Sequence, residues 1–238
     1  MGQMLRIKLG AILVLTCGAL DARAQQTVFN VPSTDVLELG KAYFELDITA
    51  KPNNSLTIKS FSSFVPRFVA GVGGGVEIGL NVLGNIQPGR DTTTLVPAVK
   101  WRIYQGKDNG WTVAVGNNFY IPVRERSYRF GTFSYVTTQK TLTTKTRLGF
   151  GGHLFSRQVA APNAIRAGGQ FTLEQTLTDK LNLNADWMTG KHANGYFTSG
   201  LSYKLTGKLT GLAAYSIGNA DARKGNHFAY LEIGYNFN

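Results

Sequence analysis

The chain has 238 residues, of which 43% are hydrophobic and 11% aromatic, and its formal net charge is +11. A mean hydropathy of −0.09 argues against a bundle of transmembrane helices, each of which needs about 20 mostly apolar residues. It leaves open a membrane protein built from strands, because only alternate residues of such strands face lipid. The basic balance indicates anionic partners, but no nucleic-acid-binding motif accompanies it.

The first 24 residues have the pattern of a secretory signal peptide. Arg6 and Lys8 form a basic start, residues 10–20 are apolar, and Ala22-Arg23-Ala24 is a small-residue cleavage site. The apolar stretch is too short to span a bilayer as a helix, which needs about 20 residues. We therefore predict export and cleavage after Ala24.

Cys17, the one cysteine, lies in this leader, so cleavage leaves no thiol for disulfide or metal chemistry. Lipidation of Cys17 is a weaker alternative, because Thr16 is larger than the residue that such signals prefer. Removal of the leader leaves the mature chain with a formal charge of about +9.

Residues 25–40 precede the first clear alternation of apolar and polar side chains. The capping sequence Pro32-Ser33-Thr34-Asp35 predicts one short helical turn through residues 36–39. We interpret this segment as a periplasmic lead-in to the segments that follow, either tucked into the mouth of the structure that they form or disordered.

From Lys41 to the C-terminus, about twelve segments of period-two alternation are separated by turn signals. In the first segment, Phe44 and Leu46 oppose Glu45 and Asp47 across the strand. Turn signals such as Lys107-Asp108-Asn109-Gly110 separate neighbouring segments.

One aromatic residue breaks the alternation in the second segment. Phe61 is out of phase with Phe64 and Phe68, which predicts a β-bulge near Ser62-Ser63.

The connections alternate in length as well. Those after even-numbered segments are mostly tight, and those after odd-numbered segments are mostly longer and basic. Short periplasmic turns and longer external loops produce this parity in membrane barrels, whereas a two-sheet sandwich has no reason to show it. The sequence therefore predicts an all-β fold: a closed, antiparallel, up-and-down transmembrane β-barrel of about 12 strands over residues 41–238.

The final strand carries the most specific signal. Leu231, Ile233, Tyr235 and Phe237 alternate with small or polar residues. The ending Gly234-Tyr235-Asn236-Phe237 resembles the terminal strand of bacterial outer-membrane β-barrels, the porin-like proteins. The resemblance implies an outer-membrane location and an insertion signal at Gly234, Tyr235 and Phe237 that the barrel assembly machinery reads. In that family the aromatic residue usually ends the chain, whereas here Asn238 follows it.

The charged residues on the predicted inward faces form the candidate site. Acidic residues lie on the first and last strands and basic ones on the middle strands, so a basic arc would face acidic walls across the lumen. Such charges either select ions in a narrow pore or pair and fill the interior, and both outcomes stay open. The predicted lumen-facing set is Glu45, Asp47, Glu77, Lys100, Arg102, Lys145, Arg147, Arg166, Glu174, Asp186 and Glu232.

A second basic set lies in the predicted outer loops. Arginine suits bidentate contact with phosphate, so these residues are candidates for binding lipopolysaccharide; the alternative is a solvated rim. The set is Arg90, Arg124, Arg126, Arg157, Arg223 and Lys224.

Catalysis is weakly indicated. His153 and Ser156 lie near one strand end, where lipid-hydrolysing barrels place a His and Ser pair, but a spacing of three puts them on opposite faces of a strand. No cluster has metal-ligand spacing, and no cofactor is predicted. The predicted function is a narrow passive channel for small polar or anionic solutes. The alternatives are a structural or surface-interaction barrel with a blocked lumen and, third, a lipid-modifying enzyme.

Overall fold

The computed structural model describes residues 27–84, 93–107, 110–124, 130–160 and 163–237. Twelve strands form one sheet. They are β1 (Ala42–Lys51), β2 (Phe61–Gly73), β3 (Val76–Leu83), β4 (Thr94–Gln105), β5 (Thr112–Pro122), β6 (Gly131–Thr143), β7 (Thr146–Phe155), β8 (Ala167–Thr176), β9 (Leu181–Met188), β10 (Tyr196–Lys204), β11 (Leu209–Gly218) and β12 (His227–Phe237), with a 3-10 helix at Ala222–Lys224.

Each strand pairs antiparallel with its neighbours in sequence, and β1 pairs with β12 to close the barrel. At the closure Ala42 lies opposite Phe237 and Ala50 lies opposite Ala229. Closure leaves no unpaired sheet edge. The predicted closed up-and-down barrel of twelve strands is confirmed.

The two faces of the barrel wall are reversed relative to a soluble protein. On β4, Lys100 is 0% exposed, whereas the adjacent Trp101 is 51% exposed. The same reversal recurs around the barrel, since large apolar side chains point outward and buried polar ones point inward. This pattern suits a wall with hydrocarbon outside and polar groups inside. Among the described residues, no helix is both long and apolar enough to cross a membrane.

The two ends of the barrel differ, as the predicted parity requires. At the turn end, β2 and β3 are joined by Gly74 and Gly75, and β6 and β7 by Thr144 and Lys145. The connections after odd strands meet at the opposite end, the loop end, and are longer. Register shifts on β2, β4 and β6 all lie close to the turn end.

The predicted bulge near Ser62-Ser63 is wrong. The pairing of β1 and β2 runs without a shift from Ala70 to Phe61. Phe61 lies in phase with Ser63 and Arg67 and faces the lumen with them. Phe61 is out of phase with Phe64 and Phe68 because its ring lies on the inner face of the strand and theirs lie on the outer face.

Residues 27–39 run inside the barrel, and we call this segment the plug. It enters from the turn end, where Gly40 donates a backbone hydrogen bond to Gly71, and reaches the loop-end half of the lumen. The helical turn predicted over residues 36–39 is absent. Its donors are used elsewhere, because the backbone nitrogens of Thr34 and Leu37 donate to Gln139 and Glu77 of the wall.

Candidate functional site in the barrel lumen

The tip of the plug is a tight turn fastened to one carboxylate. Thr27 and Pro32 form a backbone bridge, and the nitrogen of Val28 donates to the carbonyl of Val31 at 2.9 Å. Three successive backbone nitrogens then donate to Oδ2 of Asp186 on β9. The distances are 2.9 Å from Phe29, 2.6 Å from Asn30 and 2.8 Å from Val31. A carboxylate that accepts several N–H groups holds a turn strongly, because each bond is charge-assisted.

Apolar side chains of the plug fill the space beside this turn. Val31 belongs to a buried cluster with Phe133 and Met188. Phe29 packs edge-on against Tyr230 with ring centroids 5.7 Å apart. Near the turn end, Leu37 is buried in a third cluster of wall residues. The plug therefore supplies much of the small apolar core of the barrel.

An arginine clamps the plug halfway along its course. Arg147 on β7 donates from Nη1 and Nη2 to the two carboxylate oxygens of Asp35, at 2.6 Å each. It also donates to both oxygens of Glu174 on β8, at 2.9 and 2.7 Å. The Asp35 contact links the plug to the wall, whereas the Glu174 contact lies within the wall.

Most of the predicted lumen-facing set lies inside the barrel. Arg102 faces inward near the turn end, where its backbone nitrogen bonds Gly75, and is half-buried. Eight further members lie on inward positions and are buried or half-buried: Glu45, Asp47, Glu77, Lys100, Arg147, Glu174, Asp186 and Glu232.

The strand placement is wrong for the other two members. Lys145 lies in the β6–β7 turn and Arg166 in the β7–β8 loop, and both are exposed. Thr144-Lys145 carries no Gly, Pro, Asn or Asp, the usual turn residues, so the sequence pattern wrongly places Lys145 in the strand that contains Arg147. Arg166 lies one residue before β8, within the usual uncertainty of a strand boundary.

Arg67 on β2 is a buried cation in the middle of the lumen, although the predicted lumen-facing set does not include it. Its guanidinium lies 2.5 Å from Glu45 and 3.3 Å from Asp47, and it also donates to Asn81 at 3.0 Å. A fourth contact, 3.1 Å to Thr27, reaches the plug. Arg67 thus joins three elements at mid-barrel.

Carboxylate oxygens of Glu45, Asp47 and Glu232 lie within 4.8 Å of one another, a spacing suited to a hard cation. Arg67 already bonds two of these groups, so the ion pair accounts for the cluster.

Two basic residues of the middle strands, Lys100 and Arg147, are paired as well. Lys100 lies 2.8 Å from Glu77, and both side chains are buried. Of the two interpretations left open, the structure supports pairing within a filled interior, and a chain segment does much of the filling.

Cavities lined by described residues lie on either side of the plug, and two of them differ greatly in size. The larger, about 1120 Å³, lies at the loop end above Phe29 and Asn30. The smaller, about 60 Å³, lies at the turn end and is lined by Tyr43 and Leu212. The two share no lining residue within the described ranges. We call the larger cavity the vestibule.

The proposed catalytic pair is engaged in other contacts. His153 is buried, and its ring packs against Phe133, Phe155 and His192. Oγ of Ser156 accepts a hydrogen bond from the backbone of Thr132. In the neighbouring loop, burial lowers the pKa of His192 below its ordinary value, although its hydrogen bond to Thr189 works in the opposite direction.

The described members of the predicted outer basic set lie where the parity places them. Arg124, Arg157, Arg223 and Lys224 are exposed in loop-end connections. Lys224 pairs with Asp221 at 3.1 Å. Arg90 and Arg126 fall outside the described residues.

The terminal strand has the predicted facing. Tyr235 and Phe237 point outward with their rings 4.9 Å apart. Gly234 points inward against Tyr43, where a Cβ atom would lie 2.0 Å from the hydroxyl oxygen. Only glycine fits this position without displacing the tyrosine.

The barrel is similar to several solved outer-membrane structures. It aligns with the KdgM porin in complex with disordered oligogalacturonate at a TM-score of 0.61 and 7% identity, covering 83% of this chain and 99% of that one. The NanC porin gives a TM-score of 0.55 and 12% identity, covering 83% and 99%. An outer membrane channel from Pseudomonas putida F1 gives 0.50 and 12%, covering 85% and 97%. Neither a protein-family model nor a curated protein sequence matches the chain. At these identities the likeness establishes the fold, and it confirms the porin-like barrel that the terminal strand implied.

Proposed function

We propose that this chain is an outer-membrane β-barrel that serves as a narrow passive channel for small polar solutes, and that the plug closes the channel. One observation carries the proposal: a separate chain segment, the plug, forms part of the inner end of the vestibule together with side chains of the barrel wall. A segment held by hydrogen bonds and ion pairs can leave without breaking the sheet.

The structures that share the fold support a channel in general. They include proteins described as porins and as an outer membrane channel. One of them is described as a porin in complex with disordered oligogalacturonate.

The solute class follows from the state of the charges. The sequence predicted polar or anionic solutes on the strength of the basic arc. Lys100 and Arg147 are both engaged by carboxylates, so neither offers an unshared positive charge to a passing anion. This pairing favours uncharged polar solutes over anionic ones.

A blocked structural barrel is the second candidate, and the dense contacts of the plug favour it. Deletion of residues 27–38, with the cleavage site retained, separates the two in planar bilayers. A channel predicts rare or small conductance steps for the full chain and frequent, larger steps for the deletion. If the folded deletion variant conducts no better than the full chain, the channel proposal fails and the structural barrel stands.

A further inference from the structure

The vestibule has the size and composition of a ligand site. Its volume of about 1120 Å³ is slightly above the range that small-molecule pockets usually enclose, roughly 300–1,000 Å³. Its wall combines aromatic rings with amide and hydroxyl groups from strands, the plug and two loops.

Aromatic side chains form one side of this cavity. The ring of Phe228 on β12 lies 5.6 Å from Phe61 on β2 and 4.9 Å from Tyr196 on β10, both in edge-to-face geometry. A hydrogen bond of 2.9 Å from the Tyr196 hydroxyl to Asn226 fixes the third ring. These three inward rings, the aromatic wall, present both faces and edges to a further ring.

The vestibule shows little net attraction for charge. Asp47 and Arg67 are the charged members of the described lining, and they bond each other at the floor. A charged ligand would lose its hydration without gaining an unshared counter-charge, which is unfavourable.

Polar groups lie on other sides of the cavity. Asn118 on β5 and Asn194 in the β9–β10 loop line it, and their side-chain amides form no hydrogen bond within the described part of the chain. Each amide offers one acceptor and two donors. A few such groups in an apolar pocket fix the orientation of a ligand.

We propose that the vestibule is a binding site for an uncharged aromatic compound that carries hydroxyl groups. The ring packs against the aromatic wall, and the hydroxyl groups bond Asn118 and Asn194. This inference deepens the proposed function by naming the class of solute. It rests on that function only for the passage of the ligand through the barrel, since binding in the vestibule needs no opening of the plug.

The test is equilibrium dialysis against the full chain in lipid nanodiscs, with empty nanodiscs subtracted to remove partition into lipid. Three probes separate the chemical requirements: 4-hydroxybenzyl alcohol (ring, neutral), 4-hydroxybenzoate (ring, anionic) and myo-inositol (hydroxyls without a ring). We expect saturable binding of the first and much weaker binding of the other two. Equal binding of all three probes, or no saturable binding of 4-hydroxybenzyl alcohol, overturns the proposal.

Matched variants on one strand locate the site. Phe61→Ala removes an inward ring of β2, and Phe68→Ala removes an outward ring of the same strand. We expect Phe61→Ala to raise the Kd by roughly 2- to 10-fold, the worth of one aromatic pair, and Phe68→Ala to leave it unchanged. Phe61→Leu keeps an apolar side chain but removes the ring, so it replaces Phe61→Ala if that variant folds poorly. We expect Phe61→Leu to weaken binding to the same extent.

Equal effects of Phe61→Leu and Phe68→Ala would contradict the location. Failure of binding with an intact conductance response to plug deletion removes the ligand assignment alone. Binding that persists without any conductance removes the channel alone.

Discussion

Arg147 holds Asp35 through two parallel hydrogen bonds of 2.6 Å. The same guanidinium lies 2.7 Å from Glu174 of the adjacent strand. Loss of Asp35 therefore leaves the arginine paired within the wall, and the plug can be loosened without creating an isolated buried charge.

Asp35→Asn should weaken the plug and leave the barrel folded. The neutral amide cannot form the bidentate ion pair, so openings in planar bilayers should become at least about ten-fold more frequent, as expected when a charge-assisted contact of about 1.5–3 kcal/mol is lost. Asp221→Asn is the matched control, because Asp221 forms an exposed ion pair with Lys224 away from the plug. An equal opening frequency in Asp35→Asn and Asp221→Asn would mean that the clamp does not limit opening.

Asp186 should control the tip of the plug. Its carboxylate accepts three backbone N–H bonds, so Asp186→Ala should speed hydrogen exchange at Phe29, Asn30 and Val31 by at least about ten-fold. The amide of Thr34, bound instead to Gln139, serves as the internal reference. Uniform acceleration at the tip and at Thr34 would indicate loss of the whole plug, and unchanged exchange at the tip would show that Asp186 does not hold it.

The wall was predictable from the sequence because strand facing is a local property. Alternate residues point to opposite faces of a strand, so Glu45 and Asp47 could be placed inward from their neighbours alone. The alternation of short and long connections then predicts an even number of strands. With an even number, the first and the last strand have their outer ends at the same end of the barrel.

The plug was not predictable in detail, because its contacts are remote in sequence. Thr34 bonds Gln139 across 105 residues, and Val31 bonds Asp186 across 155. A capping pattern in the sequence indicates only which hydrogen bonds can form within its own segment. Here acceptors on the barrel wall bind the backbone N–H groups instead. Inward Asp186 was visible as a buried carboxylate, but nothing nearby in sequence indicated that its partners are backbone N–H groups.

The buried pair of Lys100 and Glu77 should show strong coupling. The Nζ–Oε1 distance is 2.8 Å with both side chains buried, so Lys100→Met leaves a buried carboxylate without this partner. We expect a loss of about 3–5 kcal/mol in the free energy of unfolding, measured by denaturant titration in vesicles.

Adding Glu77→Gln to Lys100→Met should restore most of that loss, because the glutamine still offers an oxygen to the nitrogen of Leu37. Additive losses in the double variant would show that the two side chains do not interact, since a double-mutant cycle isolates the pairwise contribution.

The exposed arginines of the loop end are proposed to contact lipopolysaccharide phosphates. The combined variant Arg124→Ala, Arg157→Ala and Arg223→Ala should reduce retention on lipopolysaccharide beads, because arginine binds phosphate bidentately. A triple alanine variant of the turn-end residues Lys145, Lys180 and Lys208 removes the same charge from the other end. Equal retention of the two triple variants would show that these arginines form a solvated rim and do not bind the phosphates.

Phe237 is proposed to be the main element of the insertion signal. Its ring packs outward against Tyr235 at 4.9 Å and Phe68 at 6.4 Å, beside the β1–β12 closure. Phe237→Ala should lower the fraction of assembled barrel in cells several-fold, measured by the heat-dependent shift of the folded band in gel electrophoresis.

Ile233→Ala is the matched control for Phe237→Ala, because Ile233 is an outward apolar residue of the same strand. Phe237→Tyr keeps an aromatic ring and should assemble normally. If Ile233→Ala and Phe237→Ala reduce assembly equally, the loss reflects apolar surface in general, because a specific signal would distinguish the terminal aromatic residue from its neighbours on the same face.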